Sequence, residues 1–208
     1  MKIHFIVATT VLAGCLTTSA SAVTWDFGQV HVSASDAPSG AAPWATLTFV
    51  QNGAGVVDFT LTHNSASAAG QFLRNLYLNI VPFVGGITMT ELDETQANIV
   101  GMSTGSNAFG HASATGFDML IEFQNSGGAG RLNPNESVSW RASGTGLTTG
   151  HFEAFSSGAN PAMGLIHLQG IPGGFSSHIE VNAVPEPATM VGLAVLGGCV
   201  ARRLRRRA

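Results

Sequence analysis

Cysteine is almost missing from this 208-residue chain: Cys15 and Cys199 are the two present, each in an apolar segment near an end. The residues between them have no disulfide framework and must hold together by burial and backbone pairing. A stretch of about 160 residues is long enough to do so. Lysine is scarcer still, with Lys2 alone. Between Val23 and Val184 the basic residues are Arg74, Arg131 and Arg141, whereas every acidic residue except Glu186 falls in that interval. The interior is therefore clearly acidic, although the formal net charge of the whole chain is only −3. Such a surface repels phosphate backbones, which argues against a nucleic-acid partner. Amphipathic helical runs are also lacking, and without them a parallel α/β sheet has no crossovers.

What the interior does contain is short alternating stretches between turn residues. Val57, Phe59 and Leu61 fall on one face of 56–63, with Asp58, Thr60 and Thr62 on the other. This period of two, carried by β-branched and aromatic residues, predicts half-buried strands. Strands are expected at 44–50, 56–63, 75–81, 87–92, 117–123, 136–141, 164–168 and 178–181. Asn52-Gly53 between the first two is hairpin chemistry, because both residues tolerate positive φ. The best helical candidate is 65–73, a turn or two, and 91–98 reads as a loop. Many short strands with frequent turns predict an all-β fold, an antiparallel β-sandwich of jelly-roll type over residues 23–183.

The two ends read differently. Residues 1–22 open with Lys2 and His4, run apolar from Phe5 to Leu16, and finish in Ala20-Ser21-Ala22. That is the pattern of a secretory signal peptide cut by signal peptidase between Ala22 and Val23. Leu12-Ala13-Gly14-Cys15 resembles a bacterial lipobox and supplies a second route, lipidation at Cys15. At the other end, Val184-Pro185-Glu186-Pro187 should be an extended spacer, since each proline lacks an N–H and disfavours helix before it. Ala188 to Ala201 then forms a helix about 21 Å long, short for a hydrocarbon core of about 30 Å. Snorkelling arginines and local thinning of the bilayer make up the difference. Arg202, Arg203, Arg205, Arg206 and Arg207 act as a stop-transfer cluster on the cytoplasmic side.

Pro185-Glu186-Pro187, a short membrane helix and a terminal arginine cluster, in that order over 184–208, resemble the PEP-CTERM sorting signal of Gram-negative bacteria. The resemblance implies recognition by an exosortase, a membrane-embedded cysteine transpeptidase-like enzyme, with processing near the Pro-Glu-Pro motif. It implies an exported protein, transiently held in the inner membrane by its tail and then at the cell surface or outside the cell. Exopolysaccharide and biofilm formation commonly accompany such systems, so extracellular polysaccharide is an expected partner. Ser143-Gly144-Thr145-Gly146-Leu147, Phe152 and His167-Leu168-Gln169-Gly170-Ile171 are similar to segments of many PEP-CTERM passenger domains. Those domains have no assigned chemistry, so the likeness transfers no active site.

Residue patterns for chemistry are weak throughout. His31, His63, His111, His151, His167 and His178 are dispersed, with no H-x-H, H-E-x-x-H or C-x-x-C spacing. His167 and His178 could meet across a sheet, but satisfied or surface histidines are the commoner case. Glu91, Asp93 and Glu94 cluster without a calcium-loop frame. Asp118 and Glu122 share a strand face two pleats apart, which is no glycosidase pair by itself. Gly101-Met102-Ser103-Thr104-Gly105 has the spacing of a nucleophile elbow without its strand-to-helix context. Trp25, Trp44, Trp140 and Tyr77 could form a sugar-stacking platform, although strand positions favour the core. The expectation is a non-enzymatic domain with no catalytic residue, cofactor or metal, in a structural or adhesive role. The alternative is a carbohydrate-binding or carbohydrate-active module on the same scaffold.

Overall fold

A computed structural model describes residues 22–182, apart from 35, 94–96, 112 and 127–128. Ten strands form one antiparallel sheet: β1 (Ala22–Val30), β2 (Ala45–Gln51), β3 (Val56–His63), β4 (Phe72–Leu78), β5 (Thr88–Asp93), β6 (Ile99–His111), β7 (Ala114–Phe123), β8 (Ser137–Ser143), β9 (Gly164–Ile171) and β10 (Phe175–Val181). Their order is β5-β8-β3-β2-β1-β10-β9-β4-β7-β6. The sheet curls until it is nearly closed into a barrel. At the seam, a Glu91 carboxylate oxygen on β5 accepts the Ile99 N–H of β6 at 3.2 Å. Met89, Ile99 and Met102 line a shallow groove there.

The antiparallel all-β expectation holds, but the strands belong to one continuous sheet rather than two separate ones. Among the described residues the only helical element is a 3-10 turn at Thr149–Phe152, and no helix is long and apolar enough to cross a membrane. The signal segment before Ala22, the Pro185-Glu186-Pro187 motif, the apolar tail and the arginine cluster lie outside the described residues. Ala22 and Val23, the expected cleavage pair, open β1 and pair with Val50 and Phe49 of β2.

The helix expected at 65–73 does not form. Ser67 instead bridges to Gly40, and the buried Gln71 side chain bonds both the N–H and the carbonyl of Ser39. The backbone bridge at Ser67 and the Gln71 side chain tie the segment to the 39–40 loop as turns, and β4 starts at Phe72, earlier than expected. Turn chemistry does work at 52–55, where Asn52 N–H bonds the Val56 carbonyl. Gly55 there has φ +72°, and a Cβ on it would meet the Gly144 carbonyl oxygen at 2.4 Å. Only glycine fits that conformation and that approach.

The interior is aromatic. Phe59 stacks on its cross-strand partner Trp140 at 5.1 Å with nearly parallel planes. It also meets Phe152 edge-on at 4.9 Å and Phe49 at 5.7 Å. Trp25 abuts Phe49 edge-on at 4.9 Å. A smaller cluster of Tyr77, Ala114, Phe117, Ala162 and Leu165 lies apart from this core. Tyr77, Leu165 and Phe117 come from β4, β9 and β7, and neighbouring Leu76 and Ile166 point into the main core. The second cluster therefore lies on the opposite face of those strands, where the far ends of β6 and β7 are folded against it.

Across β3 and β8 the Arg141 guanidinium grips Asp58 with two bonds, of 2.6 and 2.8 Å. That pair holds the Asp58 carboxyl below its ordinary pKa against the opposing effect of burial.

His63 is fully buried within the core's edge. Its Nδ1–H donates to the Leu132 carbonyl at 3.0 Å, so Nε2 accepts from the Ser67 hydroxyl at 2.8 Å. Burial pushes its pKa below the ordinary 6.5, opposed by the Leu132 bond and the Glu136 charge. An unfolded chain thus takes up a proton near pH 6.5 that the folded chain refuses. Stability is full above that pH and falls below it, by at most about 1.4 kcal/mol per pH unit for one such group. Thermal melts should shift to lower temperature between about pH 7 and about pH 5. Followed by NMR, the His63 ring of the folded chain should protonate at a lower pH than a free imidazole. A His63 ring that protonates near pH 6.5 in the folded chain would contradict this.

Candidate functional site

Three strands bring three histidines together. His167 on β9 and His178 on β10 are direct cross-strand partners. His111, the last residue of β6, arrives from the far end of the sheet order. The β6–β7 pairing slips between Thr104 and Phe109, where the bulged segment redirects the strand ends. The buried Asp118 carboxylate holds that bulge: its oxygens accept the N–H groups of Asn107 at 2.6 Å and Ile80 at 2.9 Å. Asn107 sits at φ +51°, a conformation asparagine tolerates better than most residues. Past the bulge the two strands pair again through His111 and Ala114, over the second cluster.

Each of the three rings offers one nitrogen such that all three nitrogens lie within 4.8 Å of one another. Ring centroids are 4.4 Å apart for His111 with His167 and with His178, and 5.1 Å for His167 with His178. His178 Nε2 lies 2.5 Å from His111 Nδ1. His167 is 3% exposed, and neither of its ring nitrogens has a hydrogen-bond partner; His178 Nδ1 has none either. Burial, then the neighbouring His111 and His178 and Arg74, push His167 down to about 3. Burial, then His111 and His31, push His178 down to about 4. Burial and then Arg74 lower His111 as well. Each ring is thereby held toward its neutral form, which carries one lone pair per imidazole.

His31 is nearby but satisfied. Its Nδ1 accepts the Ser33 N–H at 3.1 Å, and its Nε2 faces the Asn160 carbonyl at 3.4 Å. His151 lies in the 3-10 turn with Nδ1 on Thr148. Of the six interior histidines, three form the cluster.

The other chemical patterns do not assemble. Ser103 sits within β6 opposite Leu120, with no strand-to-helix turn around it. Asp118 is committed to two backbone N–H groups, while Glu122 is exposed. Glu91 and Asp93 belong to β5 rather than to a loop, and Glu94 lies outside the described residues. Trp25, Trp44, Trp140 and Tyr77 are all buried, which removes them as an open sugar-stacking platform. Sequence spacing missed the histidine cluster because its members come from three strands. One signal was present: a hairpin turning at Pro172-Gly173-Gly174 sets His167 opposite His178.

No protein-family model, curated protein or solved structure matches this chain.

Proposed function

We propose that this is an exported surface protein: a non-enzymatic barrel passenger delivered by a signal peptide, cut free of its tail by an exosortase near Pro185-Glu186-Pro187, and left at the cell surface or in the extracellular matrix. The observation that carries this reading is the ordered set of Pro-Glu-Pro, apolar run and Arg202 to Arg207 cluster following directly on the barrel. The passenger suits such a route. It needs no oxidative pairing, since its interior lacks cysteine.

Its chain ends also suit it. Asn182 N–H bonds the Asp26 carbonyl, extending the β10–β1 pairing. The chain thus leaves the barrel beside the start of β1, about 13 Å from Ala22 at the rise of a strand. Ala22 and Asn182, the two ends of the described barrel, thus lie at one side of the body. Pairing of distant strands, β1 with β10, β3 with β8 and β4 with β9, supports a jelly-roll-like wrapping of the sheet.

In a host containing the exosortase, Pro185→Ala with Pro187→Ala should leave uncut protein in the inner membrane with its passenger folded. Replacing the five arginines with serine should instead let unprocessed protein escape past the membrane. Fractionation of the two variants separates these outcomes. Normal maturation of the proline variant would reduce the tail to a plain anchor and end the sorting reading.

A further inference from the structure

We propose that His111, His167 and His178 bind one transition-metal ion of the zinc class, and that the ion clips the β6–β7 tip to the β9–β10 hairpin. The ring nitrogens are already gathered within 4.8 Å. Zinc–nitrogen bonds of about 2.0–2.1 Å require tetrahedral ligand nitrogens about 3.4 Å apart, within reach of small ring rotations.

The hydrogen-bond accounting points the same way. Buried polar groups almost always have partners, yet the buried His167 has none on either nitrogen. The 2.5 Å approach of His178 Nε2 to His111 Nδ1 permits at most one proton between two lone pairs. A metal ion is an acceptor for both lone pairs and for a third from His167. Neutral imidazoles without a carboxylate favour zinc, copper or nickel over calcium or magnesium. His111 is only partly buried, so the site opens toward solvent on its side and leaves a fourth position for water or an incoming donor. The competing account is a plain stack of three neutral rings.

The test uses the full chain in detergent, treated with chelator, desalted and titrated with zinc sulfate. One zinc per chain is expected by calorimetry and native mass spectrometry. At zinc about 100-fold above its Kd the thermal midpoint should rise by about 5–10 °C. His111→Ala should weaken binding at least about 10-fold, whereas His151→Ala should leave it unchanged. Cobalt(II) should give the intense visible bands of a tetrahedral site in the wild-type chain and lose them in His111→Ala. Should His111→Ala fail to fold, imidazole NMR of the wild-type chain decides. Zinc-induced shifts confined to His111, His167 and His178 support the site, and shifts confined to other histidines overturn it. No zinc uptake by the folded wild-type chain, or uptake that His111→Ala leaves intact, would also overturn it.

Discussion

Phe59→Ala is expected to destabilise the barrel by about 3–5 kcal/mol, the range for truncating a fully buried aromatic. Phe59 touches Trp140, Phe152 and Phe49 at once, so its ring joins β8, the 3-10 turn and β2. Trp140 and its neighbours are held by paired backbone, which limits how far they can collapse into the space left behind. The loss therefore includes a cavity cost as well as the ring's own transfer energy. For a body of this size the melting temperature should drop by roughly 6–20 °C. Phe155→Ala removes a ring of the same size that is 62% exposed, and should move the midpoint by little. Equal losses from the two substitutions would mean that the interior is not assembled around Phe59.

Asp118→Ala should cost about 2–4 kcal/mol for a different reason: it leaves two backbone N–H groups without their charged acceptor. One belongs to Ile80, just beyond β4, and the other to Asn107 in the β6 bulge. Loss of the second frees the segment that carries His111 to the sheet. The variant should therefore show faster amide exchange over 105–111 than over β2 and β3, besides its lower midpoint. Uniform exchange across the barrel would indicate that Asp118 is merely one more buried side chain.

These two residues illustrate what could be read from the chain beforehand. Phe59 lies in the cleanest alternation of the sequence, and β3 matches its expected bounds because one face is core and the other is polar. β1 and β6 went unread for separate physical reasons. Val23, Trp25 and Phe27 alternate, but they begin at the cleavage pair and so fall at the border of a segment set aside as a leader. β6 is Gly- and Ser-rich with a single neighbour, β7, so no alternating apolar pattern is required of it. Asp118 looked like half of a carboxylate pair, and only the three-dimensional path of the β6 bulge reveals its role as an acceptor. The histidine cluster depends on that same bulge, which no local spacing encodes. β9 adds a further obscurity: Leu165 and His167 are buried on one face, Ile166 and Leu168 on the other, so burial does not alternate along it.

The central claim is that the chain is cut at both ends and that the barrel between the cuts is what reaches the outside. Intact mass of the exported wild-type protein, taken from a host that carries an exosortase, tests it most directly. The account predicts a chain that begins at Val23, ends at or near Pro185-Glu186-Pro187 and lacks Arg202 to Arg207, whatever group is then attached to the new C-terminus. An exported species that still contains the arginine cluster, with its Pro-Glu-Pro motif intact, would contradict it.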